Sequence, residues 1–163
     1  MNDTATTPAD KAAIRADLDR THEGYRALVA EIPDAKWHAT SGNHAFTVGQ
    51  LVSHLAGSVD FTIGLIEAAR KGKQTNVPSF LMPLGYKLNE FRIRRAASKA
   101  TRESVLAGYD GNHARLLRLL DDVSDAELAV VKTNFGLTRS VHEMFEIPVE
   151  HLEEHAPDIR AAL

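Results

Sequence analysis

The chain has 163 residues, of which 44% are hydrophobic and 25% are charged, a composition typical of one globular domain over residues 1–163. Its formal net charge of −3 gives no electrostatic reason to expect a nucleic-acid partner. The chain has no cysteine, which excludes disulfides, zinc–thiolate sites and a cysteine nucleophile. The N-terminus lacks the basic-then-apolar pattern of a signal peptide, and no apolar run approaches the about 20 residues that span a bilayer. We therefore expect a cytoplasmic protein with no membrane partner.

Apolar periodicity and capping signals predict the first two long helices. The first starts at Pro8, a residue that suits the first helical position, and it ends before Pro33. Thr47 with Gln50 three residues later is a capping-box pattern, which predicts that the second helix starts there. Lysines and a glycine at residues 71–73 mark its end.

The middle of the chain predicts a long connection and then a third long helix. Residues 72–83 contain glycine and two prolines and are predicted to form a loop, followed by a short helix over residues 84–98. Thr101 is the expected cap of a long helix over residues 102–121. A serine and a glutamate three apart at residues 124–127 predict a further short helical turn.

The last third of the chain predicts a loop at residues 134–136 and then a final helix. That helix is expected to start near Thr138 or Ser140 and to run to about His155. Pro157 would interrupt or bend it, with a final turn continuing through Ile159 to Leu163. Pro148 lies inside it and predicts a kink or a local bulge. No stretch of the sequence predicts a strand.

Four long amphipathic helices predict an all-α fold, a four-helix bundle. The second helix would be about 35 Å long at about 1.5 Å per residue. The connection over residues 72–100 is long enough to cross that distance. The second and third long helices can therefore run parallel, joined by a long crossover.

Three histidines fall where they can converge on one metal ion. His151 and His155 are four residues apart, so on a helix they share a face, about 40° and about 6 Å apart. His54 lies on the apolar stripe of the second helix, and three imidazoles leave an open coordination position. The motif is not HExxH, because Leu152 follows His151. The alternatives are hydrogen-bonded core histidines or a charged, exposed helix end. The face of the pair also carries apolar residues: Met144, Ile147, Pro148 and Ile159.

The segments FTVGQLVSHLAG at 46–57 and VEHLEEHAPDI at 149–159 resemble the DinB-like superfamily. That group includes bacillithiol- and mycothiol-linked transferases and the metal-binding domain of mycothiol-dependent maleylpyruvate isomerase. The resemblance implies a four-helix bundle with a crossover between the second and third helices. It also implies one ligand on the second helix and two on the last, here His54, His151 and His155. Imidazole ligands favour zinc as the first expectation and nickel as the next.

Other residues are weaker candidates for the site. On the last helix, His142, Glu146 and Glu150 are candidate catalytic residues. The alternative is that they are ordinary charged residues of the surface. Glu150, Glu154 and Asp158 are near enough to orient an imidazole, and we interpret each mainly as surface charge. Candidates for substrate binding are a polar and cationic row on the crossover helix and the tryptophan of the first loop: Tyr86, Asn89, Arg92, Arg95 and Trp37.

The functional hypothesis is a metal-dependent enzyme acting on a small-molecule substrate. A metal ion held by three histidines would lower the pKa of a water or a thiol and supply a nucleophile near neutral pH. The resemblance implies a thiol-dependent S-transferase or isomerase that takes mycothiol or bacillithiol as cofactor, and a metal-dependent hydrolase is an alternative.

Two non-enzymatic alternatives stay open. The segments LNEF at 88–91 and SDAEL at 124–128 resemble a colibactin-resistance branch, which implies a binding or self-protection protein. That branch does not depend on the histidine triad, so the presence of all three histidines counts against it. A stress-induced structural bundle, as a homodimer, is the other alternative.

Overall fold

The structure is a computed structural model that describes residues 8–74, 87, 90–91, 93–95 and 97–163, with side chains from residue 11 onwards. Most of the described chain is helical, and the described residues between 87 and 97 are helical too. The named elements are α1 (Pro8–Glu31), a 3-10 turn (Asp34–Lys36), α2 (Val48–Arg70), α3 (Arg102–Asp122), α4 (Asp125–Leu128), β1 (Val131–Asn134), β2 (Leu137–Ser140), α5 (Val141–Phe145) and α6 (Ile147–Arg160).

Capping boxes set the starts of four of these helices, as the sequence predicts for α2, α3 and α4. The Thr47 hydroxyl accepts from the Gln50 N–H at 3.3 Å, and the Gln50 side chain accepts from the Thr47 N–H at 2.9 Å. The fourth box is at Ser140, so α5 starts there and not at Thr138, which lies in β2. Each box satisfies N–H groups that the first turn of a helix leaves without partners.

The order of inter-helix contacts shows that α2 and α3 run parallel. Going along α2, Ala56 contacts Asn112, Asp60 pairs with Arg115, and Arg70 reaches the carbonyl oxygen of Asp122. The residue numbers of the contacting partners increase along both helices, so the two helices run in the same direction. The long crossover between the second and third long helices is therefore confirmed.

The other two long helices complete an up-down-down-up bundle. Contacts from α1 to α3 run in opposite order, from Arg15–Asp121 to His22–Asp110, so these helices are antiparallel. The bundle places α6 between α1 and α2, and α3 on the opposite side. The histidine of α2 and the pair on α6 therefore lie on neighbouring helices.

The apolar core explains the high hydropathy of α2. By length and composition alone this helix could cross a membrane, and it is the one such helix within the described residues. About half of its residues are buried in the bundle, including Leu51, Leu55, Ile63 and Ile66. The same apolar side chains that would suit a bilayer here form the core.

The prediction that the chain has no strand is wrong, because β1 and β2 form a short antiparallel hairpin. Two residues make its turn, Phe135 and Gly136, with φ of 53° and 82°. Positive φ at both positions is typical of a type I′ turn, which matches the twist of paired strands. The usual sequence signal for such a turn is Asn-Gly or Asp-Gly, and phenylalanine in the first position hides it.

The last helical region breaks where Pro148 predicts. Glu146 ends α5 and begins α6, and Pro148 occupies the first turn of α6, where a missing N–H costs nothing. The prediction that the helix ends before Pro157 is wrong, since α6 continues to Arg160. Pro157 leaves the carbonyl group of Glu153 without its helical donor, but both residues are exposed, so water can hydrate that oxygen.

Candidate metal centre

Three imidazole rings from α2 and α6 meet at one point of the bundle. The ring centre of His54 lies 5.4 Å from that of His151 and 5.4 Å from that of His155, and the latter two lie 6.0 Å apart. The ring planes are tilted by 61° to 64° to one another, so the rings meet edge to face and do not stack. All three side chains are half-buried. The structure thus brings together the three histidines that the sequence proposes as metal ligands.

Burial keeps the first of these rings neutral. The pKa of His54 is lowered from 6.5 to about 4, first by burial and then by repulsion from His151 and His155. At neutral pH a nitrogen lone pair of His54 is therefore free to accept a proton or bind a cation.

Hydrogen bonding orients the second ring. Nδ1 of His151 lies 3.1 Å from the carbonyl oxygen of Ile147, one helical turn earlier, and donates to it. In a neutral ring with its proton on Nδ1, Nε2 is the nitrogen that carries the free lone pair. A backbone carbonyl in this role is a common way to fix the tautomer of a metal-binding histidine.

The residues present fit a divalent ion with a small adjustment. Two imidazoles on one tetrahedral zinc ion have ring centres about 5 Å apart, given a Zn–N bond of about 2.1 Å. The observed 5.4 to 6.0 Å is slightly wider. Within the described ranges, no group of three or more His, Asp or Glu side chains is placed to hold a metal ion without rearrangement. Binding an ion would therefore require the three rings to move closer together.

The apolar residues that the sequence places on the face of the histidine pair are buried. Met144, Ile147 and Ile159 are buried in the core. On α2, the polar positions one and two turns after His54 are Ser58 and Thr62, both buried. An ion held among such groups would interact strongly with its ligands, because little water screens it.

The candidate catalytic residues of the last helix have other contacts. Both carboxylate oxygens of Glu150 accept from Arg139 of β2, at 2.9 and 2.8 Å, which ties the hairpin to α6. Glu146 is exposed at the junction of α5 and α6, and His142 is half-buried in α5. A structural ion pair accounts for Glu150, and its catalytic role stays a prediction.

Of the candidates for substrate binding, Tyr86, Asn89 and Arg92 lie outside the described residues, and Arg95 is exposed. The remaining candidate, Trp37, packs against other residues at one end of the bundle.

The indole of Trp37 lies against the backbone of Gly49, where an added Cβ would come within 2.5 Å of Nε1. The guanidinium of Arg102 covers the ring at 5.6 Å. These contacts give Trp37 a packing role, and a role in binding substrate remains a prediction.

A second histidine pair joins α1 to α3. The rings of His22 and His113 stack at 4.3 Å between centres, and each contacts a carboxylate, His22 with Asp110 at 2.6 Å and His113 with Asp19 at 3.0 Å. No local signal in the sequence predicts this pairing. The two residues are 91 positions apart, and only the antiparallel contact of α1 and α3 brings them together.

The fold and site together define a four-helix bundle with a histidine cluster between its second and last long helices. A sequence profile of the DinB superfamily matches residues 17–159, and the chain belongs to this superfamily. None of the curated proteins matches the sequence significantly.

Solved structures share the fold at low sequence identity. YfiT from Bacillus subtilis, described as a probable metal-dependent hydrolase with an unusual four-helix bundle topology, is 16% identical with a TM-score of 0.75, over 99% of this chain and 90% of its own. An uncharacterized protein from Clostridium difficile 630 is 16% identical with a TM-score of 0.74, over 96% of each chain. A protein from Streptococcus pneumoniae is 19% identical with a TM-score of 0.73, over 97% of this chain and 92% of its own.

Proposed function

We propose that this chain is a metal-dependent enzyme in which His54, His151 and His155 hold one divalent ion, zinc first and nickel second. Its reaction joins a low-molecular-weight thiol such as mycothiol or bacillithiol to a small electrophile, or isomerises a substrate with the thiol's help. The observation that carries the proposal is the convergence of three imidazoles from two helices at 5.4 to 6.0 Å.

Two features of the metal-free histidines favour cation binding. His54 is neutral at pH 7 because its pKa is lowered to about 4, and the hydrogen bond from Nδ1 of His151 to Ile147 orients the His151 ring with Nε2 as the available ligand atom. A bound divalent ion would supply Lewis acidity that lowers the pKa of a water or thiol at the open position. Three protein ligands are what catalytic zinc sites typically use, since they leave that position free.

A thiol as the nucleophile fits the composition of the chain. The sequence has no cysteine, so the attacking sulfur must come from a co-substrate. A thiol also needs less help from a general base than water does, because its own pKa is near 8.5. The pairing of Glu150 with Arg139 leaves that carboxylate poorly placed to act as a base, which weighs against hydrolysis.

Hydrolysis is the second candidate, and the observation that favours it is the structural likeness to YfiT, which is described as a probable metal-dependent hydrolase. The same three ligands would serve either reaction, so the candidates differ in the nucleophile that fills the open position.

The first experiment measures metal content. Untagged protein, purified without chelator, is analysed by elemental mass spectrometry beside His54→Ala and beside His38→Ala, which removes an exposed histidine. About one zinc or nickel per chain in the parent and in His38→Ala, but little in His54→Ala, is the expected result. No bound metal in the parent after incubation with zinc and with nickel would refute the proposal and favour a binding or structural bundle.

The second experiment separates thiol transfer from hydrolysis. Metal-loaded protein is incubated with mycothiol or bacillithiol and a panel of small electrophiles, while free thiol is measured over time. Thiol consumption that depends on electrophile, metal and His54 supports the transferase. Release of product without thiol, from ester or amide substrates, would instead establish the hydrolase.

A further inference from the structure

We propose that Asp158 is the positioning carboxylate of His155, and that Gly42, in the loop before α2, fixes Asp158 in place. The inference rests on the proposed three-histidine centre and adds to it two residues that are not among its three ligands.

The first observation is an unsatisfied ring nitrogen. Nδ1 of His155 is fully enclosed and has no hydrogen-bond partner among the described residues. A buried polar atom without a partner destabilises a folded protein, so its surroundings need an explanation. The nearest opposite charge is Oδ2 of Asp158, 3.7 Å away. That separation exceeds a normal N–H···O hydrogen bond by about 0.8 Å.

A small rotation closes this gap. Asp158 follows His155 by three residues on α6, so the two side chains lie on the same helical face. A rotation of either side chain that shortens the 3.7 Å separation would let Nδ1–H of His155 donate to Asp158. Nε2 of His155 would then be the ligand atom, as it is for His151, whose Nδ1 donates to Ile147. Both histidines of the pair would present the same nitrogen.

The place of Asp158 in its helix also needs a reason. It lies in the last turn of α6, which ends at Arg160. A carboxylate there faces the negative end of the helix dipole and is unfavourable for helix stability. Helix stability therefore does not explain an aspartate at position 158. A role as the hydrogen-bond partner of Nδ1 of His155 does explain it.

Gly42 holds the backbone at this position. Its N–H donates to the carbonyl oxygen of Asp158 at 2.8 Å. A Cβ on Gly42 would lie 3.1 Å from Cα and 3.2 Å from the carbonyl oxygen of Asp158. Both atoms belong to the backbone and cannot turn away, so a side chain at residue 42 would push the loop and the end of α6 apart by a few tenths of an ångström.

The test measures zinc affinity by competition with a chromophoric chelator. Asp158→Ala should weaken zinc binding about 10- to 100-fold, the usual cost of losing a group that orients a ligand. Asp158→Asn keeps a carbonyl acceptor and should fall between the parent and the alanine variant. Glu153→Gln is the matched control, since it removes one negative charge from an exposed position of the same helix and should leave affinity unchanged. Gly42→Ala should also weaken zinc binding, whereas Gly64→Ala, with open space around it, should not.

The outcomes separate this inference from the proposed function. A parent that binds zinc together with an Asp158→Ala variant of equal affinity overturns the role of Asp158 and leaves the three-histidine centre standing. A parent that binds no zinc overturns both. Unfolding of the metal-free proteins provides the remaining check. Loss of affinity with unchanged or higher stability supports a positioning role, and a parallel loss of metal-free stability would show that Asp158 is merely structural.

Discussion

Acidification of the metal-free protein should weaken the fold through His54. The folded protein resists protonation of this residue until about pH 4, because burial and the neighbouring histidines lower its pKa. The unfolded chain takes up the same proton near pH 6.5. The free energy of unfolding is therefore fully retained above pH 6.5, and it decreases as the pH falls from 6.5 toward 4, because the unfolded state then binds more protons.

The size of the effect follows from the two pKa values. A tenfold change in proton affinity corresponds to about 1.4 kcal/mol, so the difference between 6.5 and about 4 amounts to about 3 kcal/mol. For a domain of this size that is a large share of a total stability of about 5–15 kcal/mol. His54 alone should thus account for much of the loss of stability between neutral pH and pH 4.

The assay is urea unfolding of metal-free protein, followed by circular dichroism at pH 7, 6, 5 and 4. The comparison is with His54→Gln, which keeps a polar side chain of similar size but does not titrate, and with His38→Ala, which removes an exposed histidine. The stability difference between pH 7 and pH 4 should be smaller by about 3 kcal/mol in His54→Gln and unchanged in His38→Ala. Equal pH dependence in the parent and His54→Gln would show that His54 titrates normally and that the ring is not desolvated as inferred.

Three further substitutions test the packing and turns by urea unfolding. Gly49→Ala places a Cβ 2.5 Å from Nε1 of Trp37 and should cost about 1–3 kcal/mol; a neutral result would mean that the indole moves freely. Thr62→Val replaces a buried hydroxyl that has no hydrogen-bond partner among the described residues and should stabilise by about 1 kcal/mol, so a loss of stability would reveal a further partner. Gly136→Ala, at a φ of 82°, should cost about 1 kcal/mol, and no cost would argue against the I′ turn.

Local signals in the sequence predicted the long helices well. The capping boxes at Thr47 and Thr101 depend on side chains within three residues, so no tertiary information is needed to find them. The parallel course of α2 and α3 was predictable for a different reason, since the length of the connection decides which ends of the bundle it can join. The likeness to DinB-like proteins added the ligand pattern of His54, His151 and His155.

The missed features depend on tertiary context or on unusual choices of residue. The hairpin turns through Phe135 and Gly136, and its first turn residue is one that rarely adopts positive φ. The stacking of His22 on His113 arises only when α1 packs antiparallel to α3. The helix α6 continues through Pro157 because Pro157 and Glu153 are exposed, so water can hydrate the carbonyl group that loses its helical donor. The apolar pattern of α6 does not reveal this exposure.

The loop that leads into α2 is also hydrogen-bonded to α6, so it touches both helices that carry the histidine cluster. The loop before α2 is closed by an isolated bridge between Thr40 and Thr47 and by the hydroxyl and N–H of Ser41, both of which donate to the carbonyl of Phe46. Thr47 caps α2, the helix of His54, while Gly42 binds the backbone of Asp158 on α6. The loop is hydrogen-bonded to both helices. A displacement of the start of α2 is therefore transmitted through these hydrogen bonds to the end of α6.

This connection bears on how the histidine cluster is maintained. His54 is on the second turn of α2, and His155 precedes Asp158 by less than one turn of α6, so both lie near the loop's two attachment points. The spacing of the rings across two helices is then set by backbone hydrogen bonds and not by apolar packing alone, which tolerates sliding more easily. A site that requires ligand atoms to be placed within about 0.5 Å needs such backbone support. We therefore expect the loop over residues 40–47 to matter for metal affinity as much as the two helices it joins.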